Sequence, residues 1–139
     1  MTLSLKLDHC VIAVSEPDRS DAFYRDVLGA EVIRLGAEYR VYRIGDRQLS
    51  VHTPGLEKDP ASAKFLIRAK DPVRPGNSDL CFEWPGAMAD VVAHLAKWNV
   101  PIEVGPRESF GAMGKGDSVY FRDPDGTLLE FIVYASPAP

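Results

Sequence analysis

Four side chains that could bind a metal ion occupy matching positions in a sequence that reads as a duplication. The segment VYRIGDRQLSVH, which ends at His52, resembles VYFRDPDGTLLE, which ends at Glu130. Nearer the N-terminus, LDHCVIAV resembles NSDLCFEW, and this alignment pairs His9 with Asp79. Imidazole and carboxylate groups are ligands that divalent first-row metals take in proteins. The pattern therefore predicts a metal site built between two repeats.

Glu130 is the sharpest single indication of chemistry, because it is the only charged residue in LLEFIVY. That run predicts a strand buried on both faces, where an unpaired carboxylate would be costly. Two explanations stay open from the sequence: an ion pair with an arginine such as Arg43 or Arg122, or a bound metal ion. A lone histidine in a strand is more often a packed core residue than a ligand. The prediction therefore depends on all four positions together.

Three further residues are predicted to contact a substrate. Arg43 and Tyr120 lie in strands beside the proposed site by the repeat argument, and Lys115 lies in a glycine-rich segment. That segment, residues 105–116, is predicted to be a long loop that acts as a lid or binding segment.

The elements that must position these residues recur in the order β-α-β-β-β. Residues 17–28 are predicted to form a helix, since Pro17 suits the first helical turn and Gly29 is placed to end it. Residues 86–98 are predicted to form the corresponding helix of the second half. The predicted fold class is α+β with two tandem βαβββ modules.

One domain is predicted for the 139 residues. Module 1 covers about residues 5–53 and module 2 about residues 77–135. A linker, residues 54–76, carries four prolines and joins them.

The composition limits the kinds of partner that are expected. The net charge is −4 and no basic cluster is present, so nucleic acid is not expected as a partner. No apolar run reaches membrane-spanning length and no signal-peptide pattern is present, so a cytoplasmic protein without a membrane partner is expected. Cys10 and Cys81 lie in apolar runs and form no CxxC pair, which predicts two buried free thiols.

Several motifs together resemble the vicinal oxygen chelate superfamily, which includes glyoxalase I, fosfomycin-resistance and bleomycin-resistance proteins and extradiol dioxygenases. They are LDHCVIAV, AFYRDVLGAEVI, the hairpin ending LSVH, and SVYFRDPDGTLLEFI. Within it, the chain is most similar to glyoxalase-domain and lactoylglutathione lyase-like proteins.

This resemblance implies curled sheets that form a cup around a metal, with ligands from the first and fourth strands of each module. Those strands place His9, His52 and Glu130 as metal ligands. Asp79 is implied as a ligand, as a group that contacts the ligands, or as a base, so Asp79 and Glu130 are the catalytic candidates. A homodimer is also implied.

The function predicted first is a divalent-metal-dependent, glyoxalase-like enzyme of lyase or isomerase type, with Ni, Co, Mn, Zn or Fe as the cofactor. Its small substrate would chelate the metal through neighbouring oxygens. Two alternatives remain. One is an Fe(II) extradiol-type dioxygenase, and the other is a non-catalytic drug- or metabolite-binding protein of the bleomycin-resistance type.

Overall fold

A computed structural model describes residues 2–63 and 66–135. The chain divides into two compact units, Met1–Pro75 and Gly76–Pro139. Each unit has one four-stranded mixed sheet with a helix between its first and second strands. This arrangement confirms the predicted α+β class and the repeated βαβββ order.

Unit 1 carries the first four strands and two helices. In chain order they are β1 (His9–Ala13), α1 (Pro17–Leu28), β2 (Glu31–Arg34), β3 (Arg40–Ile44), β4 (Arg47–His52) and the short α2 (Pro60–Ala63). The strands lie in the order β1-β4-β3-β2, which we call sheet 1. β1 runs parallel to β4, and the other pairs are antiparallel.

Unit 2 carries the remaining strands and one helix. They are β5 (Asp79–Glu83), α3 (Met88–Lys97), β6 (Val104–Gly111), β7 (Gly114–Arg122) and β8 (Leu128–Tyr134). The strands lie in the order β5-β8-β7-β6, which we call sheet 2. Here too the first strand is parallel to the last and the other pairs are antiparallel.

Helix α1 has the predicted bounds and covers one face of sheet 1. Pro17 begins the helix, and Gly29 follows its end with φ 66°, a left-handed conformation that glycine adopts at little cost. Tyr24 is fully buried and stacks on Tyr42 of β3, with ring centroids 4.8 Å apart. The face of sheet 1 that carries Tyr42 is therefore the helix face, and the other face is turned away from α1.

Sheet 2 is built in the same way, with aromatic residues on its helix face. Phe131 of β8 lies 4.8 Å from Phe121 and 5.3 Å from Trp84, ring centroid to centroid. Val91 and Leu95 of α3 are fully buried. Because side chains alternate along a strand, Glu130, the neighbour of Phe131, points to the face away from this apolar core.

The predicted loop over residues 105–116 is wrong, because most of that segment forms a β-hairpin. β6 and β7 pair from Val104 to the turn between Gly111 and Gly114, with a register shift after Val104. Gly114 has φ 105°, and a Cβ on Gly111 would fall 2.1 Å from the Tyr134 hydroxyl. The glycines thus serve a tight turn and a close approach to β8, which composition alone does not distinguish from a flexible loop.

Two predictions from composition can be compared with the structure. No described helix is long and apolar enough to cross a membrane. Both cysteines are free thiols as predicted, but the predicted burial is wrong for Cys81, which is exposed, while Cys10 is half-buried. Cys81 lies on the face of β5 turned away from the helix, where the apolar run does not make a core.

Candidate metal centre

Three predicted site residues of unit 1 share the face of sheet 1 that is turned away from α1. His9 lies opposite Gln48 in register, and Arg43 lies opposite the same residue on β3. His52 lies opposite Ala13, which is four residues beyond His9 on β1. Residues opposite each other in register share a face, so these three side chains leave the sheet on one side.

The two histidines nevertheless occupy opposite ends of the β1–β4 pair. At about 3.3 Å per residue, their backbones are roughly 13 Å apart along the strands. Metal–imidazole bonds are about 2.0–2.1 Å long. Sheet 1 therefore does not bring His9 and His52 of one chain together around a single ion.

His9 is oriented by its neighbour in the chain. Asp8 Oδ1 lies 2.7 Å from His9 Nδ1, and the imidazole side chain is 50% exposed. An ionised carboxylate can only accept, so Nδ1 donates the proton, and in the neutral imidazole Nε2 then carries the lone pair. Metal-ligating histidines are commonly held in this way by a carboxylate on the second nitrogen.

His52 is half-buried at the end of β4. Burial lowers the pKa of its imidazole, and the positive charge of Arg68 lowers it further. Arg68 itself pairs with Glu57. The neutral imidazole is thus favoured at His52, which suits either metal binding or acceptance of a proton.

The strand register corrects the predicted equivalence of His52 and Glu130. Glu130 lies opposite Cys81, the third residue of β5. The third residue of β1 is Val11, and the residue opposite it is Ser50, not His52. His52 corresponds to the position two residues beyond Glu130, because the β7–β8 turn is longer than the Gly45-Asp46 turn of module 1.

Glu130 is half-buried and is held by a hydroxyl group instead of a cation. Ser118 of β7 donates to Glu130 Oε2 at 2.5 Å, and Ser118 is fully buried. Among the described residues of unit 2, no lysine, arginine or histidine lies within ion-pairing distance of Glu130. A carboxylate in this position usually has a compensating charge.

The predicted alternative, an ion pair with Arg122, is wrong. Arg122 Nε donates to Glu103 Oε2 at 2.7 Å, and its Nη2 donates to Glu103 Oε1 at 3.0 Å. This two-pronged pair raises the pKa of Arg122 and lowers that of Glu103. Arg122 is therefore engaged by Glu103 and does not pair with Glu130.

Asp79 and Cys81 lie on β5 on the same face as Glu130. Cys81 faces Glu130 in register, and Asp79 is two residues earlier. The pKa of the Cys81 thiol is raised to about 12, first by partial desolvation, then by the charge and hydrogen bond of Glu130 and the charge of Asp79. These effects show two carboxylates concentrated around one thiol, which is electrostatically suited to a cation.

Of the predicted substrate contacts in unit 2, one lies beside Glu130 and one does not. Tyr120 is directly opposite Glu130 in the β7–β8 pair. The guanidinium of Arg107, on β6, lies 5.4 Å from the centroid of the Tyr120 ring. Lys115 alternates onto the opposite face of β7, and its Nζ lies 3.6 Å from Glu108 Oε1.

Sequence reasoning missed Ser118 and Arg107. Ser118 opens the SVYFRDPDGTLLEFI motif but had no predicted role, and Arg107 lies outside every quoted motif. Both reach the Glu130 side of sheet 2 through the β6–β7 register. The only sequence signal was alternation: Ser118, Tyr120 and Arg122 share one face of β7. That signal becomes useful only after the hairpin is recognised as two strands.

In the described part of either unit, no group of three or more His, Cys, Asp or Glu side chains converges to hold a metal ion. The donor types still fit a divalent ion, since Glu130 is an uncompensated carboxylate and His9 presents Nε2.

Comparison with known proteins decides the family. The Glyoxalase/Bleomycin resistance protein/Dioxygenase superfamily matches residues 6–131. The chain belongs to that superfamily. It is 33% identical over 129 residues to virulence protein STM3117 of Salmonella typhimurium, covering 93% of this chain and 84% of the relative.

Solved structures of the superfamily share the fold. The integron cassette protein VCH_CASS1 from Vibrio cholerae is 35% identical with a TM-score of 0.83, over 97% of this chain and 98% of that one. FosX from Listeria monocytogenes, a fosfomycin resistance protein solved with Mn(II) and sulfate, is 16% identical with a TM-score of 0.64, over 96% and 93%. At that identity the FosX likeness shows the fold alone.

Proposed function

We propose that this protein is a divalent-metal-dependent enzyme of glyoxalase-like type, in which Glu130 binds the metal ion. One observation carries the proposal. Glu130 is half-buried in an apolar strand, is held by a serine hydroxyl at 2.5 Å, and has no cationic partner among the described residues of unit 2. A divalent cation would supply the missing positive charge.

The proposed ligands are His9, His52 and Glu130, and two observations favour His9 over His52. His9 is oriented by Asp8, with Nε2 left to bind. His52 has no corresponding carboxylate contact in the described residues, and it lies at the far end of the strand pair. His9 is therefore the ligand we expect to matter most beside Glu130, with His52 contributing to the same ion only if it comes from another copy of sheet 1.

The proposed substrate is a small molecule with two neighbouring oxygens. A bound divalent ion supplies Lewis-acid chemistry that stabilises negative charge on such oxygens. Asp79 is exposed on the same face as Glu130 and is suited to accept a proton from the substrate. Tyr120 and Arg107 would hold the substrate's polar or anionic groups beside it. Proton transfer of this kind corresponds to lyase or isomerase activity.

Elemental analysis by mass spectrometry, on protein as purified and after reconstitution, tests the proposal. The wild type should carry about one Ni, Co, Mn, Zn or Fe per chain, and Glu130→Gln and His9→Ala should lose most of it. Glu83→Gln is the matched control, because it removes an exposed carboxylate from the same face of β5. Loss in Glu83→Gln as well would indicate nonspecific binding to an acidic surface.

The same samples separate the alternatives. Catechol-dependent oxygen uptake with iron would favour a dioxygenase over a lyase. A wild type that stays metal-free after reconstitution would contradict the proposal and favour the binding protein.

The proposal includes a homodimer. Several large apolar side chains are exposed in the single chain, including Leu5 at 87%, Phe110 at 82% and Met113 at 77%. Phe110 and Met113 lie at the same β6–β7 turn, and neighbouring exposed apolar side chains commonly mark a contact with another protein. Sedimentation velocity should give a mass near twice 15.3 kDa, and a concentration-independent monomer would contradict this part.

A further inference from the structure

A chain of two serine hydroxyls crosses sheet 2 and ends on Glu130. Ser109 Oγ of β6 lies 2.5 Å from Ser118 Oγ of β7, and Ser118 Oγ lies 2.5 Å from Glu130 Oε2 of β8. Ser109 is half-buried, whereas Ser118 is fully buried. The hydrogen bonds therefore lead from the half-buried Ser109 through the fully buried Ser118 to the Glu130 carboxylate.

The direction of the hydrogen bonds follows from the number of protons. A serine hydroxyl has one proton to donate, and an ionised carboxylate has none. Ser118 must donate its proton to Glu130, so Ser109 must donate to Ser118. Each bond in such a chain polarises the next, which strengthens the last bond to the carboxylate.

We propose that Ser118, supported by Ser109, is a positioning residue that fixes the Glu130 carboxylate for the cation. This inference rests on the proposed function in that the cation is the one assigned above to Glu130. Ser118 holds Oε2 from a rigid central strand, and this restrains rotation of the carboxylate. A preorganised ligand loses less conformational freedom on binding than a mobile one.

The geometry argues against a purely structural role. Two hydroxyls could satisfy each other or a backbone carbonyl without a charged acceptor. Instead, the buried hydroxyl of Ser118 faces the only carboxylate in the LLEFIVY strand. Partners that orient metal ligands typically change metal affinity by about 10–100-fold when removed.

The experiment measures metal affinity and Glu130 conformation separately. Mn(II) or Co(II) affinity is determined by competition with a chelator for the wild type, Ser118→Ala and Ser109→Ala. Ser118→Ala should raise the Kd on the order of 10–100-fold, and Ser109→Ala should raise it less. Ser118→Thr, which restores the hydroxyl, should recover much of the affinity.

Ser62→Ala is the matched control. Ser62 is also buried, and its Oγ donates to the Asp59 carboxylate at 2.6 Å, but in unit 1. The Ser62→Ala substitution removes a hydrogen bond of the same chemistry, so the metal Kd of this variant should stay within about twofold of the wild type. An equal loss in Ser62→Ala would assign the effect to general destabilisation and overturn the inference.

Crystal structures of the metal-free wild type and variants supply the second readout. Glu130 should hold one conformer in the wild type and move or become multiple in Ser118→Ala. An unchanged single conformer of Glu130 in Ser118→Ala overturns the inference, as does a Kd for Ser118→Ala within twofold of that of a metal-binding wild type.

If the wild type binds no metal, the proposed function fails and the Glu130 conformer alone decides the inference. Should Ser118→Ala not fold, Ser109→Ala provides both readouts from the half-buried end.

Discussion

Asp21, on helix α1 of unit 1, and Glu130, on strand β8 of unit 2, are shielded carboxylates in two units of the same design, yet their surroundings differ. Asp21 Oδ2 accepts from Arg40 at 2.5 Å and from Arg34 at 3.1 Å, and its Oδ1 accepts from the Tyr42 hydroxyl at 2.8 Å. Its charge is balanced where α1 meets sheet 1. Glu130 lies on the other side of its own sheet, away from the helix, and has a serine in place of the arginines.

This is the difference that we expect between a structural carboxylate and one that binds a ligand. Burying an acid between a helix and a sheet requires a cation from the same chain, and unit 1 supplies it. Leaving an acid uncompensated lowers stability, and such a cost persists where a ligand makes use of the charge. Each prediction below changes one side of this comparison.

The largest effect is expected for Asp21→Ala. The change leaves Arg40, which is 4% exposed, without its carboxylate, and breaking a buried pair costs about 3–5 kcal/mol. Urea unfolding should show this loss, whereas Glu130→Gln should change stability by about 1 kcal/mol or less. Asp18→Ala is the control, since Asp18 is exposed and its carboxylate lies 3.2 Å from Arg34 Nη2. Equal losses for Asp21→Ala and Glu130→Gln would remove the distinction.

The next effect concerns the Cys81 thiol, studied in a Cys10→Ala background. With a pKa of about 12, Cys81 should react with iodoacetamide at pH 8 on the order of a hundredfold more slowly than an unperturbed thiol. Glu130→Gln should speed the reaction, because the charge and hydrogen bond of Glu130 both raise that pKa. An unchanged rate in Glu130→Gln would mean that the carboxylate is already neutralised.

A smaller effect is expected from His52 in metal-free protein. Its folded-state pKa lies below its unfolded value, chiefly because of burial, so the unfolded chain takes up the proton first as pH falls. Stability should therefore decrease below about pH 6.5 and level off below the folded pKa. His52→Gln should flatten this part of the pH profile. An NMR titration midpoint at or above 6.5 would contradict the prediction.

The smallest effect is expected for Lys115→Ala. Lys115 is 76% exposed and its contact with Glu108 is 3.6 Å long, so the stability change should be about 0.5 kcal/mol or less. Metal affinity should not change, because Lys115 and Glu130 lie on opposite faces of sheet 2. Loss of metal in this variant would show that the hairpin tip takes part in the site.

The fold was predictable because its signals are local. Pro17 and Gly29 mark the ends of α1, and the DPDG turn is stabilised by Asp123, whose Oδ1 accepts from the backbone N–H groups of Asp125 and Thr127 at 2.9 Å. These contacts span a few residues and can be read from residue type alone.

The site was less predictable because register depends on turn length. The repeat aligned His52 with Glu130, but the longer β7–β8 turn moves the equivalent position to Ser50. A shift in pairing changes the partner of every residue along the strand. The predicted partner Arg122 was lost to Glu103 for a similar reason, since that pair joins β7 to the segment before β6.

The most direct test of the central claim is an anomalous difference map of crystals grown with Co(II) or Mn(II), collected at the edge of that metal. We predict one strong peak per chain at about 2.0–2.2 Å from a Glu130 carboxylate oxygen, with a histidine nitrogen in the same shell. A map without that peak, or one in which a protein cation reaches Glu130 instead, would contradict the account.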